Sequence, residues 1–93
     1  MAIKSWGNSS TRRLFEKGRS AWPGLDTEKA LNRLATINAA SRLDQIGVLK
    51  GIGLHPLKGN RKGQWAVNVN GSWRVCFRFK DGHAHAVEIV DYH

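Results

Sequence analysis

The side chains of this chain that are best suited to chemistry lie in two short stretches. The first is a basic, glycine-rich segment that contains His55 and Lys58. The second is the triplet Asp91-Tyr92-His93, which follows the apolar run from Ala84 to Val90. Residues near a chain end are usually loose, but an apolar run of this length is typical of a buried strand. We therefore expect a carboxylate, a phenol and an imidazole to be held rigidly side by side.

Together with Arg74 and Arg78, these groups match what RNA backbone cleavage needs without a metal ion. Attack of a 2′-hydroxyl on its own phosphorus requires a base, an acid for the 5′ leaving oxygen, and cations that stabilise the charged phosphorane. An imidazole titrates near neutral pH, so His55 and His93 suit the first two tasks, and Lys58 and Arg74 suit the third. The sequence leaves open which group is the acid and which is the base.

Taken one at a time, these residues have more ordinary explanations. A histidine in a glycine-rich loop usually packs locally or faces water, and an arginine on a strand face is usually only solvated. Tyr92 can simply cover the core with its ring, and one of the four tryptophans can stack on a base if it lies on an open surface. The spacing of the motifs alone indicates a basic α+β domain that binds RNA or DNA.

Composition limits the class of protein. The 93 residues predict a single domain, residues 1–93, and 15 Lys and Arg against 7 Asp and Glu give a net charge of +8, which favours polyanionic partners. The acidic residues are scattered, so a Mg²⁺-dependent nuclease is not expected, and no motif indicates a cofactor. The single cysteine, Cys76, argues against disulfides and a cysteine zinc site and fits a reducing cytoplasm. No apolar window is long enough to span a membrane, and no signal region is expected.

The first half of the sequence predicts one short strand followed by helices. Ile3 to Trp6 is the strand, and the segment Thr11 to Lys17 is a short helix that Gly18 ends in a left-handed conformation. Asp26 caps the longest helix, and a second, shorter helical turn begins at Ser41. The connector between the first two helices carries Trp22, which we expect to pin that loop onto the core.

The second half predicts an antiparallel meander. Apolar and polar residues alternate from Gln64 to Asn70 and again from Ser72 to Phe79, which is typical of half-buried strands. Asn70-Gly71 signals a hairpin. A three-residue loop would pair Val69 with Trp73, Val67 with Val75 and Trp65 with Phe77, so we expect this longer loop or a bulge. Asp81-Gly82 predicts a second turn, after which Ala84 to Val90 returns as a third strand. The expected fold is α+β, with helices on one sheet face and the other face open.

Five sequence motifs resemble those of a known family. They are Leu54-His55-Pro56-Leu57-Lys58-Gly59, Gly63-x-Trp65, Trp73-Arg74-Val75-x-Phe77, the terminal Asp91-Tyr92-His93, and Leu14-Phe15-Glu16-Lys17-Gly18. As an ordered set that extends over nearly the whole chain, they resemble the HigB-type toxins of the RelE/ParE superfamily. The resemblance implies a RelE-like fold.

The same resemblance implies an activity and partners. Toxins of this type are ribosome-dependent endonucleases that cut mRNA in the ribosomal A site, and they inhibit translation and growth. By the family pattern His55, Asp91, Tyr92 and His93 are catalytic, and Lys58 and Arg74 hold or stabilise the scissile phosphate. Arg78 is expected to bind RNA because it lies on the same strand face as Arg74. The expected partner is a helix-turn-helix antitoxin, and operator DNA is contacted only through the toxin–antitoxin complex.

Two other functions remain open on this fold. One is a non-catalytic inhibitor of a protein target, as in the gyrase-directed ParE branch, and the other is a plain RNA-binding module. Fold alone does not separate these from an enzyme. What separates them is the set formed by His55 and Asp91-Tyr92-His93, which neither binder requires.

Overall fold

The computed structural model describes residues 2–19 and 22–92. Three helices precede an antiparallel sheet, so the chain has the expected α+β order. The elements are α1 (Ser9–Lys17), α2 (Thr27–Ala39), α3 (Leu43–Gly47), β1 (His55–Pro56), a 3₁₀ turn (Gly59–Arg61), β2 (Trp65–Asn68), β3 (Trp73–Lys80) and β4 (His83–Asp91). The sheet order is β1-β2-β3-β4, and every neighbouring pair is antiparallel.

The helices begin at polar caps that satisfy their free N–H groups. The Asn8 side chain accepts a hydrogen bond from the Thr11 amide at 2.8 Å, so α1 starts two residues earlier than the sequence pattern predicted. Gly18 ends α1 with φ 71°, as predicted. Asp26 caps α2 and accepts a hydrogen bond from the Lys29 amide at 3.0 Å, which confirms that prediction as well.

The β2–β3 hairpin has the predicted register. Trp65 lies opposite Phe77 and Val67 lies opposite Val75, and the Val69 amide donates to the Trp73 carbonyl at 3.0 Å. The loop between them is Asn70-Gly71-Ser72, in which Gly71 has φ 51°, a conformation that a glycine adopts without a steric cost. The register keeps every large apolar side chain of both strands on one face of the sheet.

The structure differs from the sequence prediction at the two edges of the sheet. His55–Pro56, predicted to lie in a loop, pairs with β2 as a two-residue strand, so the meander has four strands. The predicted strand Ile3 to Trp6 runs parallel to β4 and forms isolated bridges, Ile3 with Ala84 and Trp6 with Val87. Both segments are short, and their pairing depends on the neighbouring strand more than on their own sequence pattern.

The core lies between the three helices and one face of the sheet. Its buried members include Leu14, Leu34, Ile37, Ile46, Val67, Val75, Phe77, Val87 and Ile89. The rings of Trp22 and Trp73 pack with their centroids 5.9 Å apart, so Trp22 holds the α1–α2 connector onto the sheet, as predicted.

A β-bulge interrupts the pairing of β3 with β4. Cys76 lies opposite Glu88, but two residues further along β3 Arg78 lies opposite His85. The extra residue is on β4, near Ala86. Ala86 has φ 53°, an unusual value for a residue with a side chain. The Ser5 hydroxyl accepts a hydrogen bond from the Ala86 amide at 2.8 Å, so the N-terminal segment supports the bulge.

One buried hydroxyl joins α1 to β4. Thr11 is fully buried, and its Oγ1 donates to Asn8 at 2.7 Å while accepting from the Ile89 amide at 2.9 Å. This pair of bonds connects the start of α1 to the part of β4 that leads to Asp91 and Tyr92. A buried donor without an acceptor costs more free energy of folding than an average hydrogen bond contributes. Loss of the Thr11 hydroxyl would therefore destabilise the fold by more than the loss of one hydrogen bond.

We predict that Thr11→Val lowers the free energy of unfolding by about 1–3 kcal/mol, because the valine leaves the Ile89 amide without an acceptor. Thr36→Val is the matched control, since the Thr36 hydroxyl is bonded to the Asn32 carbonyl of its own helix at 3.0 Å. Urea denaturation of both variants measures the difference. Equal stability of the two variants would show that Thr11 contributes only its volume.

Candidate active site

The sheet face turned away from the helices carries the polar residues, and we call it the open face. Strand pairing places His55, Ala66, Cys76 and Glu88 in one row across all four strands. Ala66 and Cys76 are nevertheless fully buried. Their small side chains are therefore covered by the longer polar side chains around them, and the open face is a packed polar layer above the sheet.

His55 is held on β1 in a defined tautomer. Its Nδ1 lies 2.7 Å from the Gly53 carbonyl oxygen, and because a carbonyl can only accept, Nδ1 carries the hydrogen. In the neutral ring Nε2 is then the nitrogen with a free lone pair. Gly53 has φ 63° and lies against the Asn68 side chain, so a larger residue there would displace the carbonyl that orients His55.

Tyr92 turns back over the open face. Its amide donates to the Ser72 carbonyl at 2.8 Å, and its phenol oxygen lies 3.7 Å from Cys76 Sγ. Burial raises the pKa of Tyr92, and the hydrogen bond with Cys76 raises it further. Burial also raises the pKa of the Cys76 thiol. Both groups therefore keep their protons near neutral pH, and the phenol is a possible proton donor in the row that begins at His55.

Asp91 has a different environment from Tyr92. It lies opposite Trp73 in the β3–β4 pairing, and its carboxylate accepts a hydrogen bond from the Ser72 hydroxyl. Successive residues of a strand alternate between the two faces, so Asp91 and Tyr92 leave the backbone on different sides. The structure thus joins Asp91 to the β2–β3 hairpin and Tyr92 to the open face. His93, the third member of the predicted triplet, lies outside the described residues.

The predicted phosphate-binding cations are spread along the open face. Arg74 donates from Nη1 to the carbonyls of Gly71, at 2.7 Å, and of Trp73, at 2.9 Å, which holds its guanidinium at the hairpin end of β3. Arg78 is exposed near the other end of that strand, and Lys58 is exposed just before the 3₁₀ turn.

An ion pair that sequence reasoning missed lies in the middle of this face. Arg61 Nη1 donates to Glu88 at 2.7 Å and to Gln64 at 3.0 Å, and the hydrogen bond to Glu88 raises the pKa of Arg61. Glu88 lies opposite Cys76 on the open face, but no spacing in the sequence indicated Arg61 as its partner. The pair joins the segment that carries Lys58 to β4.

Two possible features are absent from the part of the chain that the structure describes. Within residues 2–19 and 22–92, no group of three or more His, Cys, Asp and Glu side chains could hold a metal ion. Over the same residues, no helix has both the length and the apolar character needed to cross a membrane.

Comparison with known proteins identifies the family. Residues 4–93 match the family described as RelE-like toxin of type II toxin-antitoxin system HigB. The chain belongs to the HigB-like toxin family. A curated relative, Endoribonuclease HigB of Proteus vulgaris, is 37% identical over 94 aligned positions, which cover 98% of this chain and 99% of the relative.

Membership in the HigB-like family confirms what the five motifs predicted, and the α+β architecture agrees with a RelE-like fold. The structure adds the placement of the site residues. His55 belongs to the row that crosses the sheet, and the Tyr92 phenol lies beside Cys76 in the same row. Arg74 is bonded to Gly71 and Asp91 to Ser72, both in the loop between β2 and β3.

Tyr92 is the single tyrosine of the sequence, so phenolate absorbance reports on it directly. We predict a titration midpoint above the ordinary value of 10.0 in the folded protein and a lower midpoint in the Cys76→Ala variant, because the contact with Cys76 raises the pKa. The folded protein holds this proton more tightly than the unfolded chain. Its free energy of unfolding should therefore be fully retained below the unfolded pKa and fall as pH rises from there through the folded pKa.

The control for this titration is the same protein unfolded in guanidinium chloride, where the phenol titrates at its ordinary pKa. A midpoint that is unchanged by unfolding, or by Cys76→Ala, would show that the phenol does not rest on Cys76 in solution.

Proposed function

We propose that this chain is the toxin of a type II toxin–antitoxin pair and an endoribonuclease that cuts mRNA on the ribosome. Membership in the HigB-like family and the name of the Proteus vulgaris relative support the ribonuclease class. The net charge of +8 favours an RNA substrate. The reaction is attack of a 2′-hydroxyl on the adjacent phosphorus, which forms a 2′,3′-cyclic phosphate and releases the 5′ oxygen.

The observation that carries this proposal is the orientation of His55. Its Nδ1–H is bonded to the Gly53 carbonyl, so in the neutral ring the lone pair that can accept the 2′ proton lies on Nε2. His55 is exposed, and the row that it begins continues through the small residue Ala66 to Cys76, above which the Tyr92 phenol lies. Two strand spacings separate the backbones of His55 and Cys76 by about 10 Å, so the imidazole and the phenol can approach a phosphodiester bound over this row from two sides.

The remaining site residues have supporting roles. Arg74 and Lys58 offset the negative charge that develops on the phosphorane, and the guanidinium of Arg74 is already oriented by two carbonyls. Tyr92 keeps its proton and can donate it towards the leaving oxygen. Asp91 is a positioning residue that holds the end of β4 to the hairpin through Ser72. His93 is assigned to the site by the sequence motif alone.

The toxin needs a partner that neutralises it in the cell. We propose a helix-turn-helix antitoxin of the HigA type, with operator DNA contacted by the complex and not by the toxin alone. An exposed basic surface without such a partner would bind cellular RNA non-specifically, because phosphate contacts dominate affinity for nucleic acids.

The mechanism predicts that one 2′-deoxy substitution, at the nucleotide 5′ of the cleaved bond, abolishes cleavage, because the attacking oxygen is removed. The measurement is primer extension and product analysis on ribosomes programmed with the ribo and the deoxy mRNA. A matched mRNA with the deoxy sugar two nucleotides away should be cut normally. Cleavage of the deoxy bond itself would require a water nucleophile and contradict the mechanism.

The same assay tests the class of function. Cleavage of mRNA only when it is bound to ribosomes supports the proposal in full, and cleavage of free mRNA would leave an endoribonuclease that does not depend on the ribosome. Growth inhibition without any cut RNA would favour the non-catalytic alternatives on this fold.

We predict that His55→Asn reduces cleavage by about 10²–10⁴-fold while RNA binding is kept. The asparagine amide can replace Nδ1–H as a donor to Gly53, so the loop geometry survives and only the base is lost. Single-turnover cleavage on programmed ribosomes and the affinity for an uncleavable RNA are measured together. Near-normal cleavage by this variant would remove His55 from the role of base.

A further inference from the structure

The open face has a second cationic end that the cleavage chemistry does not use. A cavity of about 360 Å³ lies there, lined by Gly63, Arg78, Phe79, Lys80 and His85. Its size is at the low end of the range of about 300–1,000 Å³ for ligand pockets. Among the described residues, Arg78 and Lys80 form no ion pair, so both charges are available to an anion.

The β-bulge builds this cavity. Continued from the pair Cys76–Glu88 without a bulge, the register would place Ala86 opposite Arg78, whereas the bulge places His85 there. Residues directly opposite each other on paired strands share a face, so His85 and Arg78 stand on the same face of the sheet and both line the cavity. The bulge holds Ala86 at φ 53°, a conformation that costs free energy and that occurs mostly where the surrounding structure enforces it.

The absence of a side chain at Gly63 leaves the space that the Arg78 guanidinium occupies. A Cβ on Gly63 would lie 2.7 Å from Arg78 Nη1, and the backbone there has φ 94°. The guanidinium of Arg78 therefore lies against the loop before β2, whereas that of Arg74 is bonded to the hairpin after β2. The two side chains point to opposite ends of β3, and their Cα atoms are about 13 Å apart. A single phosphate cannot contact both.

The middle of the open face separates the two cationic ends. Glu88 and Arg61 form a half-buried ion pair there, so this part of the face has little net charge. An RNA strand that places its cleaved phosphate by Arg74 would cross this neutral zone before it reaches Arg78 and Lys80. Two cationic ends separated by a neutral zone could contact two phosphates of one RNA strand, or phosphates of two RNA segments.

We infer that the cavity is a second RNA subsite, which binds one nucleotide outside the cleaved bond: its phosphate contacts Arg78 and Lys80, and its base stacks on the His85 ring. Stacking of an unpaired base on an aromatic or imidazole ring, beside a cation for the phosphate, is how single-stranded RNA is commonly held. This inference rests on the proposed function in that it takes RNA as the ligand. The nucleotide can come from the mRNA or from ribosomal RNA, since the chemistry of the site is the same for both.

The test uses uncleavable 2′-O-methyl RNA, a dinucleotide and an octanucleotide, and ribosomes without mRNA. Arg78→Ala and His85→Ala are compared with Lys50→Ala. This control also removes one exposed cation, but it lies beyond the other end of β2, where the Ile52 carbonyl accepts from the Asn68 amide. Circular dichroism checks that each variant is folded.

We expect both cavity variants to lose affinity for the octanucleotide and to bind the dinucleotide like the wild type. His85→Ala should weaken octanucleotide binding by roughly 5- to 150-fold, the range for one lost base stack. Arg78→Ala should lower the slope of log affinity against log salt by about 0.7, the value for one phosphate contact on a single strand. Arg74→Ala should weaken binding of both RNAs.

The ribosome arm separates the two sources of RNA. Loss of octanucleotide affinity assigns the cavity to mRNA, and loss of affinity for mRNA-free ribosomes alone assigns it to ribosomal RNA. If the cavity variants match Lys50→Ala in both arms, the subsite does not exist. Because no probe is cut, a wild-type protein that shows this binding pattern but cleaves no mRNA would overturn the proposed function and leave the subsite standing.

Discussion

The register between β2 and β3 is the constraint on which the rest of the structure depends. One face of these strands must be covered by the helices, so Trp65, Val67 and Val69 have to align with the apolar residues of β3. A shift by one residue would move every one of them to the open side. The same register places Arg74 opposite Asn68 and Cys76 opposite Ala66, so the packing of the core positions the polar face.

Long polar side chains on the open face cover the small residues beneath them. Cys76 and Ala66 lie on the side away from the helices and still have no exposed surface. The long side chains that cover these two residues must be held in place. Arg61 and Glu88 hold each other through a hydrogen bond of 2.7 Å between Nη1 and Oε1. In a half-buried pair of this kind, the loss of hydration offsets much of the attraction between the two charges, so its net contribution to the free energy of folding is small. Its position beside Tyr92 and the Lys58 segment suggests a role in order more than in stability.

Hydrogen bonds to backbone carbonyls orient the two groups that the proposed chemistry uses most. His55 is bonded to Gly53, and Arg74 is bonded to Gly71 and Trp73. Gly53 and Gly71 both have a positive φ, a backbone conformation that residues with a side chain rarely adopt. A site organised in this way has its geometry before the substrate arrives, and orientation of this kind accounts for a large part of catalytic rate enhancement.

The β-bulge at Ala86 has a similar effect at the far end of the sheet. It changes which residue stands beside Arg78, and it does so at the cost of a left-handed alanine. The N-terminal segment stabilises the bulge, because the Ser5 hydroxyl accepts a hydrogen bond from the Ala86 amide. This segment is thus part of the open face's architecture, although it lies at the opposite end of the sequence.

The sequence by itself determined the α+β class, the helix caps at Asp26 and Gly18, the three-residue hairpin loop and the family, because caps, turns and alternating strands depend on residues that are close along the chain. Only the tertiary structure decided that His55–Pro56 pairs as a strand, that Arg61 meets Glu88, and that Asp91 and Tyr92 have different partners. A bulge, an edge pairing or an ion pair between residues 27 positions apart is selected by how whole strands pack, and local residue patterns carry little information about that packing.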